Sequence, residues 1–164
     1  VMGYSFGGYY AARIAAFEHR YVAGVAFAAL HWDLHAWQLE IRRRQLADPR
    51  STAQSTFHFQ WVMGEDTPEA AIEKARGFSL EGVASRIRMP FLVLHGEADR
   101  VVPVAAAHRL HAELGSPDKA LRLFGPEEGG AQHAQVDDRP LGVDAIADWL
   151  EHVLDPAATA RGTR

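Results

Sequence analysis

Three short apolar segments of the sequence predict β-strands. Val22–Leu30 is a continuous apolar run without polar alternation, and Phe91–His95 has the same character. Runs of this kind are typical of strands in a parallel sheet that helices cover on both faces. Ala120–Phe124 alternates more between apolar and polar positions, which predicts a strand nearer the edge of the sheet.

Helical patterns lie between and after these strands. Tyr10–Phe17 is rich in small helix formers, and Val104–Leu114 is followed by Gly115, which we interpret as a C-terminal cap. The alternation of helices and strands predicts an α/β fold with a mainly parallel sheet and flanking helices. A third helix is predicted over Val143–Leu154, with one face formed by Val143, Ile146, Ala147 and Leu150.

The stretch 31–88 interrupts this rhythm. It is too long for a tight crossover and reads as mostly helical, with a loop near Asp48 and Pro49. We interpret it as a helical cap inserted between two strands of a domain that covers residues 1–154. The tail 155–164 is expected to be disordered.

The number of predicted strands is small for a sheet covered by helices. Such sheets usually have more than three strands, and the chain opens inside a motif that should follow a strand. We therefore expect the sequence to be the C-terminal part of a larger α/β domain, with the first strands upstream.

The opening motif, Gly3-Tyr4-Ser5-Phe6-Gly7, matches the G-x-S-x-G nucleophile elbow, in which a serine sits on a sharp strand-to-helix turn. Side chains at Gly3 or Gly7 are expected to collide across this turn. The Ser5 hydroxyl would then lie at a helix N-terminus, and the Phe6 N–H would be one donor of an oxyanion hole. The alternative interpretation is a glycine-rich turn with an incidental serine.

Two further side chains follow predicted strands in the order Ser, acid, His that this chemistry requires. Asp99 lies in the loop after the strand 91–95, where a carboxylate can accept the Nδ1–H of an imidazole. Glu97 is the competing acid, and a turn or capping role is the alternative for Asp99. His133 follows the last strand and would act as general base toward Ser5 and then as general acid. A surface position is the alternative for this histidine.

Composition narrows the function classes. Apolar residues make up 48%, the formal net charge is −4 and the pI is near 6.1, which gives no reason to expect nucleic acid or a membrane as a partner. The absence of cysteine excludes disulfides and thiolate catalysis within this segment. We expect a cytoplasmic protein with a small-molecule substrate, and the sequence predicts no oligomeric state.

Several other side chains are candidates for binding a metal ion or a substrate. His31 with His35 and His108 with His111 have the spacing of metal ligands, but neither pair has a third ligand nearby, so no metal site is predicted. Four aromatic residues are candidate substrate contacts, for which packing is the alternative. They are Tyr4, Trp32, Trp37 and Trp61.

The motifs together resemble the serine α/β-hydrolases. The similar segments are Gly3–Ala11, Ala16–Glu18, Phe91–Asp99, Glu127–His133 and Ala147–Leu150. Within that superfamily the sequence is similar to the prolyl-oligopeptidase-like and FrsA-like esterase group, especially to the branch of 2,6-dihydropseudooxynicotine hydrolase and a fungal pigment hydrolase. Glu127–His133 is the more specific element of this resemblance.

The resemblance implies a nucleophile at Ser5, an acid at Asp99 and a base at His133. Members of the branch cleave a carbon–carbon bond beside a ketone, and broader relatives cleave esters or peptides. We therefore predict a serine hydrolase that acts through an acyl-enzyme and needs no cofactor or metal. A serine aminopeptidase of the prolyl-oligopeptidase type and a non-catalytic interaction module are the alternatives.

Overall fold

The computed structural model describes residues 1–28, 32–48 and 54–155, and for residues 54–57 it describes the backbone alone. The chain divides into two compact units, Val1–Leu30 with Gly82–Arg164 and His31–Glu81. The second unit falls within the predicted insertion 31–88. Pro49 and residues 156–164 of the predicted tail lie outside the described residues.

The first unit contains a parallel sheet of four strands, β1 (Met2–Tyr4), β2 (Gly24–Phe27), β3 (Phe91–Gly96) and β4 (Lys119–Phe124), in the order β1-β2-β3-β4. The predicted parallel α/β fold is confirmed, and β4 lies at an edge of the described sheet as expected. The prediction of three strands was wrong, because Met2–Tyr4 also pairs in register with β2. That strand is too short to show a pattern of its own.

The strands end together. Tyr4 is in register with Phe27, and Phe27 with Leu94. On the far side, Gly96 at the end of β3 is in register with Phe124 at the end of β4. Because all four strands run in the same direction, the residues that follow them emerge at one edge of the sheet.

In the first unit, helices connect the strands and pack against them. The helix after β4 packs against an apolar cluster on one face of the sheet, to which the strands contribute Val25, Phe27, Leu92, Leu94 and Phe124. The helices are α1 (Phe6–Phe17), α2 (Leu34–Ala47), α3 (Gln54–Met63), α4 (Pro68–Lys74), α5 (Val104–Glu113) and α6 (Arg139–Leu154). No helix in the described ranges is both long and apolar enough to cross a bilayer.

The buried face of α6 differs from the predicted one. The helix begins at Arg139, after Asp138 caps it by accepting the Leu141 N–H. Ile146 and Leu150 pack on the sheet as predicted, whereas Val143 and Ala147 face outward. The face that packs on the sheet is centred about one residue earlier in the sequence than predicted, and it also includes Leu141, Gly142, Ala145 and Trp149.

The predicted glycine cap of α5 was also wrong. The helix ends at Glu113, its C-cap residue Leu114 has φ −56° and ψ 128°, and Gly115 does not have a positive φ, so no left-handed cap follows. Gly115 is needed for proximity instead, since a Cβ there would lie 2.0 Å from the Ser85 carbonyl oxygen.

The second unit is helical, as predicted for the insertion. Its two ends are joined by a hydrogen bond from the Leu80 N–H to the Trp32 carbonyl, 3.2 Å long, and by an antiparallel bridge between Asp33 and Ser79. Asp33 also caps α2 through the Ala36 N–H.

The turn between β1 and α1 is shaped by backbone contact. A Cβ on Gly3 would lie 1.8 Å from the Gly7 carbonyl oxygen, which is far inside any allowed distance. A Cβ on Gly7 would meet nothing within 4 Å. The expected collision is therefore confirmed for Gly3 and wrong for Gly7.

These two glycines give a matched test in the full-length protein. We expect Gly3→Ala to lower the free energy of unfolding by more than about 2 kcal/mol, because backbone must move to admit the methyl group. Gly7→Ala should be neutral or stabilising by up to about 1 kcal/mol, since alanine favours a helix. Urea denaturation measures both. Equal effects of the two substitutions would contradict this account of the turn.

Candidate active site

Ser5 occupies the turn between β1 and α1 with a strained backbone. Its φ of 53° and ψ of −122° lie outside the regions that non-glycine residues normally adopt. The Ser5 N–H donates to the Phe27 carbonyl at 3.0 Å, which ties the turn to the end of β2. The neighbouring strand thus helps hold the hydroxyl at the edge where the strands end.

His133 reaches the serine from the loop after β4. The distance from Ser5 Oγ to His133 Nε2 is 2.9 Å, and about a fifth of the imidazole side chain is exposed. On its other side, Nδ1 lies 2.7 Å from Asp99 Oδ2. Because the carboxylate accepts, Nδ1 carries the proton, and Nε2 of the neutral ring can accept the serine proton.

Asp99 is held by donors on both of its oxygens. Its side chain is fully buried, in the loop between β3 and α5. Oδ1 accepts the N–H groups of Val101 at 2.7 Å and Val102 at 2.9 Å, and Oδ2 accepts from His133. The competing acid Glu97 is exposed. The structure therefore brings Ser5, Asp99 and His133 together, as the sequence predicted.

Electrostatics at Asp99 favour its charged form. Burial by itself raises the pKa of this carboxyl, but the hydrogen bonds from His133, Val102 and Val101 outweigh burial and leave the pKa below its ordinary value. The carboxylate consequently stays ionised beside the imidazole at neutral pH, where it can stabilise an imidazolium.

The loops that carry Asp99 and His133 are in backbone contact. The Ala98 N–H donates to the Ala131 carbonyl at 2.9 Å. A Cβ on Gly96 would lie 2.2 Å from the same carbonyl oxygen, so only glycine permits this approach. The distance between the acid and the base is thus fixed by backbone as well as by their own hydrogen bond.

Sequence reasoning missed two residues that support this arrangement. Asp137 accepts the Ala131 N–H at 2.9 Å and the Gln132 N–H at 3.0 Å, one on each oxygen, and so braces the loop just before His133. Its only sequence signal is an acid four positions after the histidine. His95 is fully buried near Asp99, and its signal was a histidine in an otherwise apolar strand.

Phe6 is the first residue of α1, and its ring packs edge-on against Tyr10 with 4.8 Å between centroids. A backbone N–H in the first turn of a helix lies at the positive end of the helix dipole. This position is compatible with an oxyanion donor, and the role of Phe6 stays a prediction.

The predicted substrate contacts are distributed over both units. Tyr4 precedes Ser5, packs edge-on against Phe27 and accepts a hydrogen bond from Arg139 at 3.4 Å. In the second unit Trp32 is buried, whereas Trp61 is 71% exposed. Trp37 is half-buried. Substrate contact by these four residues stays a prediction.

The parts of the chain that the structure describes contain no group of three or more His, Asp or Glu side chains suited to hold a metal ion. His31 lies outside the described residues.

Comparison with known proteins gives partial matches. A family model described as serine aminopeptidase, S33, matches residues 75–127. No curated protein matches the chain. Among solved structures, 2,6-dihydroxy-pseudo-oxynicotine hydrolase is 29% identical with a TM-score of 0.70, covering 96% of this chain and 40% of that protein.

Two further structures show the same fold at lower identity. A monoacylglycerol lipase of Paleococcus ferrophilus is 23% identical, with a TM-score of 0.57, over 93% of this chain and 67% of the lipase. An esterase of Pyrococcus furiosus is 16% identical, with a TM-score of 0.66, over 94% of this chain and 53% of the esterase. The chain thus spans well under half of the first of the three relatives.

The role of Asp137 in holding the loop before His133 can be tested with Asp138 as the matched control. We expect Asp137→Asn in the full-length protein to slow labelling by a fluorophosphonate about tenfold or more, because an amide offers one acceptor for two N–H groups and misplaces the His133 loop. Asp138→Asn removes the same charge but should have little effect, since Asn caps a helix as well as Asp. Similar labelling rates for the two variants would contradict the role of Asp137 in positioning His133.

The ionisation of Asp99 has a consequence for stability. In the folded protein the pKa of the Asp99 carboxyl is lower than in the unfolded chain. The contribution of Asp99 to the free energy of unfolding is therefore fully present above the pKa range of an unfolded aspartate, near pH 4. This contribution is lost as the pH falls through the lower pKa of the folded state. The difference in unfolding free energy between the wild type and Asp99→Asn should therefore shrink from about pH 4 downward. Denaturation at a series of pH values measures it, with the exposed Asp66→Asn as control. A difference independent of pH would exclude this linkage.

Proposed function

We propose that this chain, which belongs to the α/β-hydrolase superfamily, supplies the nucleophile, base and acid of a serine hydrolase that acts on a carbonyl substrate. One observation carries the proposal. Ser5 Oγ lies 2.9 Å from His133 Nε2, and the opposite ring nitrogen lies 2.7 Å from the buried Asp99 carboxylate. A hydroxyl, a neutral imidazole and a carboxylate that are hydrogen-bonded in this order constitute an activated nucleophile.

The first half of the proposed reaction forms an acyl-enzyme. Ser5 Oγ bonds to the substrate carbonyl carbon while its proton passes to His133 Nε2, and the carbonyl electron pair moves to oxygen. The Phe6 N–H would donate to that oxyanion. When the carbonyl re-forms, the bond to the leaving group breaks, and the leaving group takes the proton from His133.

The second half releases the product. Water donates a proton to His133 Nε2 as its oxygen attacks the acyl carbon, and collapse of the intermediate returns that proton to Ser5 Oγ and frees a carboxylic acid. Throughout, the Asp99 carboxylate keeps the ring oriented through Nδ1 and balances the charge of the imidazolium. The buried position of Asp99 and its three donors support this role.

The proposed substrate is an ester or a ketone with a cleavable carbon–carbon bond beside the carbonyl. Likeness to the 2,6-dihydroxy-pseudo-oxynicotine hydrolase supports the second. In that case the leaving group departs as an enolate or a stabilised carbanion and is protonated by His133, so the same three side chains serve both reactions.

A serine aminopeptidase is the second candidate. The family model of that description matches 75–127, a segment that includes Asp99 but neither Ser5 nor His133. Hydrolysis of a β-diketone, a p-nitrophenyl ester and an aminoacyl amide by the full-length protein separates the candidates. Preferential turnover of the amide would favour the aminopeptidase.

Labelling and substitution of Ser5 provide the sharpest test of the proposal. A fluorophosphonate should label the full-length protein at Ser5, because the activated oxygen displaces fluoride from phosphorus. Ser5→Ala should abolish labelling and lower kcat by about 10⁴-fold or more, since the three side chains act as a unit. Peptide mapping and steady-state kinetics measure these effects.

The control is Ser85→Ala, which removes an exposed hydroxyl from the first unit and should leave labelling intact. A Ser5→Ala protein that keeps a tenth of the activity would rule out Ser5 as nucleophile. Failure of the folded wild type both to label and to turn over any of the three substrates would favour a non-catalytic module.

A further inference from the structure

His95 is the buried ionisable side chain that the proposed reaction does not use. It is the penultimate residue of β3, and none of its surface is exposed. An apolar side chain would fill this position in the core without a desolvation cost. The contacts of the two ring nitrogens indicate what a histidine contributes at this position.

The two ring nitrogens have unequal surroundings. Nε2 lies 2.9 Å from the Val102 carbonyl oxygen, and since a carbonyl can only accept, Nε2 carries the proton. Nδ1 has no hydrogen-bond partner among the residues that the structure describes. The contacts therefore select one neutral tautomer, with its N–H directed at the loop that contains Asp99.

The Val102 residue connects His95 to the acid. Its carbonyl accepts from His95, and its N–H donates to Asp99 Oδ1 at 2.9 Å, beside the Val101 N–H at 2.7 Å. The same His95 Nε2 lies 3.4 Å from Asp99 Oδ2, the oxygen that His133 contacts. One ring thus closes the loop 95–102 and faces the carboxylate.

We infer that His95 is a positioning residue, which by its Nε2–H locks the loop 95–102 so that Asp99 presents Oδ2 to His133. The inference rests on the proposed function of the Ser5, His133 and Asp99 set. It assigns no contact with substrate to His95.

The charge state of the ring agrees with this role. Burial lowers the pKa of His95, while the hydrogen bond to Val102 and the charge of Asp99 oppose that effect only in part, and His133 and His108 add to the lowering. When the His95 ring is neutral, the negative charge of Asp99 is available to stabilise the imidazolium of His133. A protonated ring would compete for that charge and would bury an unpaired N–H at Nδ1.

Two substitutions distinguish the nitrogens. In His95→Gln the amide nitrogen can reach roughly the position of Nε2, whereas in His95→Asn it lies near the position of Nδ1. On the full-length protein we expect the maximal rate of fluorophosphonate labelling to stay within about threefold for Gln and to fall about tenfold to a hundredfold for Asn. The half-saturating concentration of the probe should change less than about twofold, since His95 does not touch it.

The pH profile adds a readout that a packing role would not move. In the Asn variant the carboxylate is less well placed to stabilise the imidazolium, so the rising limb of labelling against pH should shift to lower pH. The Gln variant should keep the wild-type profile. Equal rates for Asn and Gln, or an equal loss in both with an unmoved profile, would overturn the inference.

A measurement on the wild type covers the case in which the Asn variant does not fold. Nitrogen NMR of histidine-labelled protein, assigned by the signal that His95→Gln removes, should show a neutral ring protonated at Nε2 over the whole pH range of labelling. A proton on Nδ1, or titration of the ring within that range, would overturn the inference. If Ser5→Ala also labels like the wild type, the proposed function fails; if only the His95 predictions fail, the proposed function stands.

Discussion

The site depends on the common direction and register of the strands. Since β1, β3 and β4 end at one edge of the sheet, the residues that follow them share a small region although they are far apart in the chain. Ser5, Asp99 and His133 are each placed by a different strand. An antiparallel neighbour would have sent one of these loops to the opposite edge.

Close backbone contacts then reduce the freedom of the three loops. Gly3 lets the first turn of α1 approach β1, and Gly96 lets the loop of His133 approach the end of β3. Side chains complete the fixation, because Asp137 accepts two N–H groups of the His133 loop. Main-chain packing therefore fixes the spacing of the loops that carry the proposed catalytic groups, and the hydrogen bonds of Asp99 with His133 and of His133 with Ser5 orient the side chains.

A buried negative charge is the electrostatic centre of this arrangement. Asp99 is removed from water, which would favour its neutral form, yet backbone and imidazole donors reverse that preference. Such a fully satisfied carboxylate is rigid as well as charged. The proposed reaction uses both properties, since it requires an imidazole that is fixed in orientation and stabilised when it takes up a proton.

The sequence by itself determined the α/β class, three of the four described strands, the order of serine, acid and histidine and the need for glycine at position 3, because these follow from local periodicity, motif spacing and steric demands. It favoured Asp99 without excluding Glu97, it placed Val143 and Ala147 wrongly on the buried face of α6, and it assigned a cap to Gly115. Only the tertiary structure decided those points, and only it revealed His95 and Asp137, since each depends on groups that meet through packing between separate parts of the chain. A hydrogen bond between a side chain and a distant backbone has no signature in local sequence.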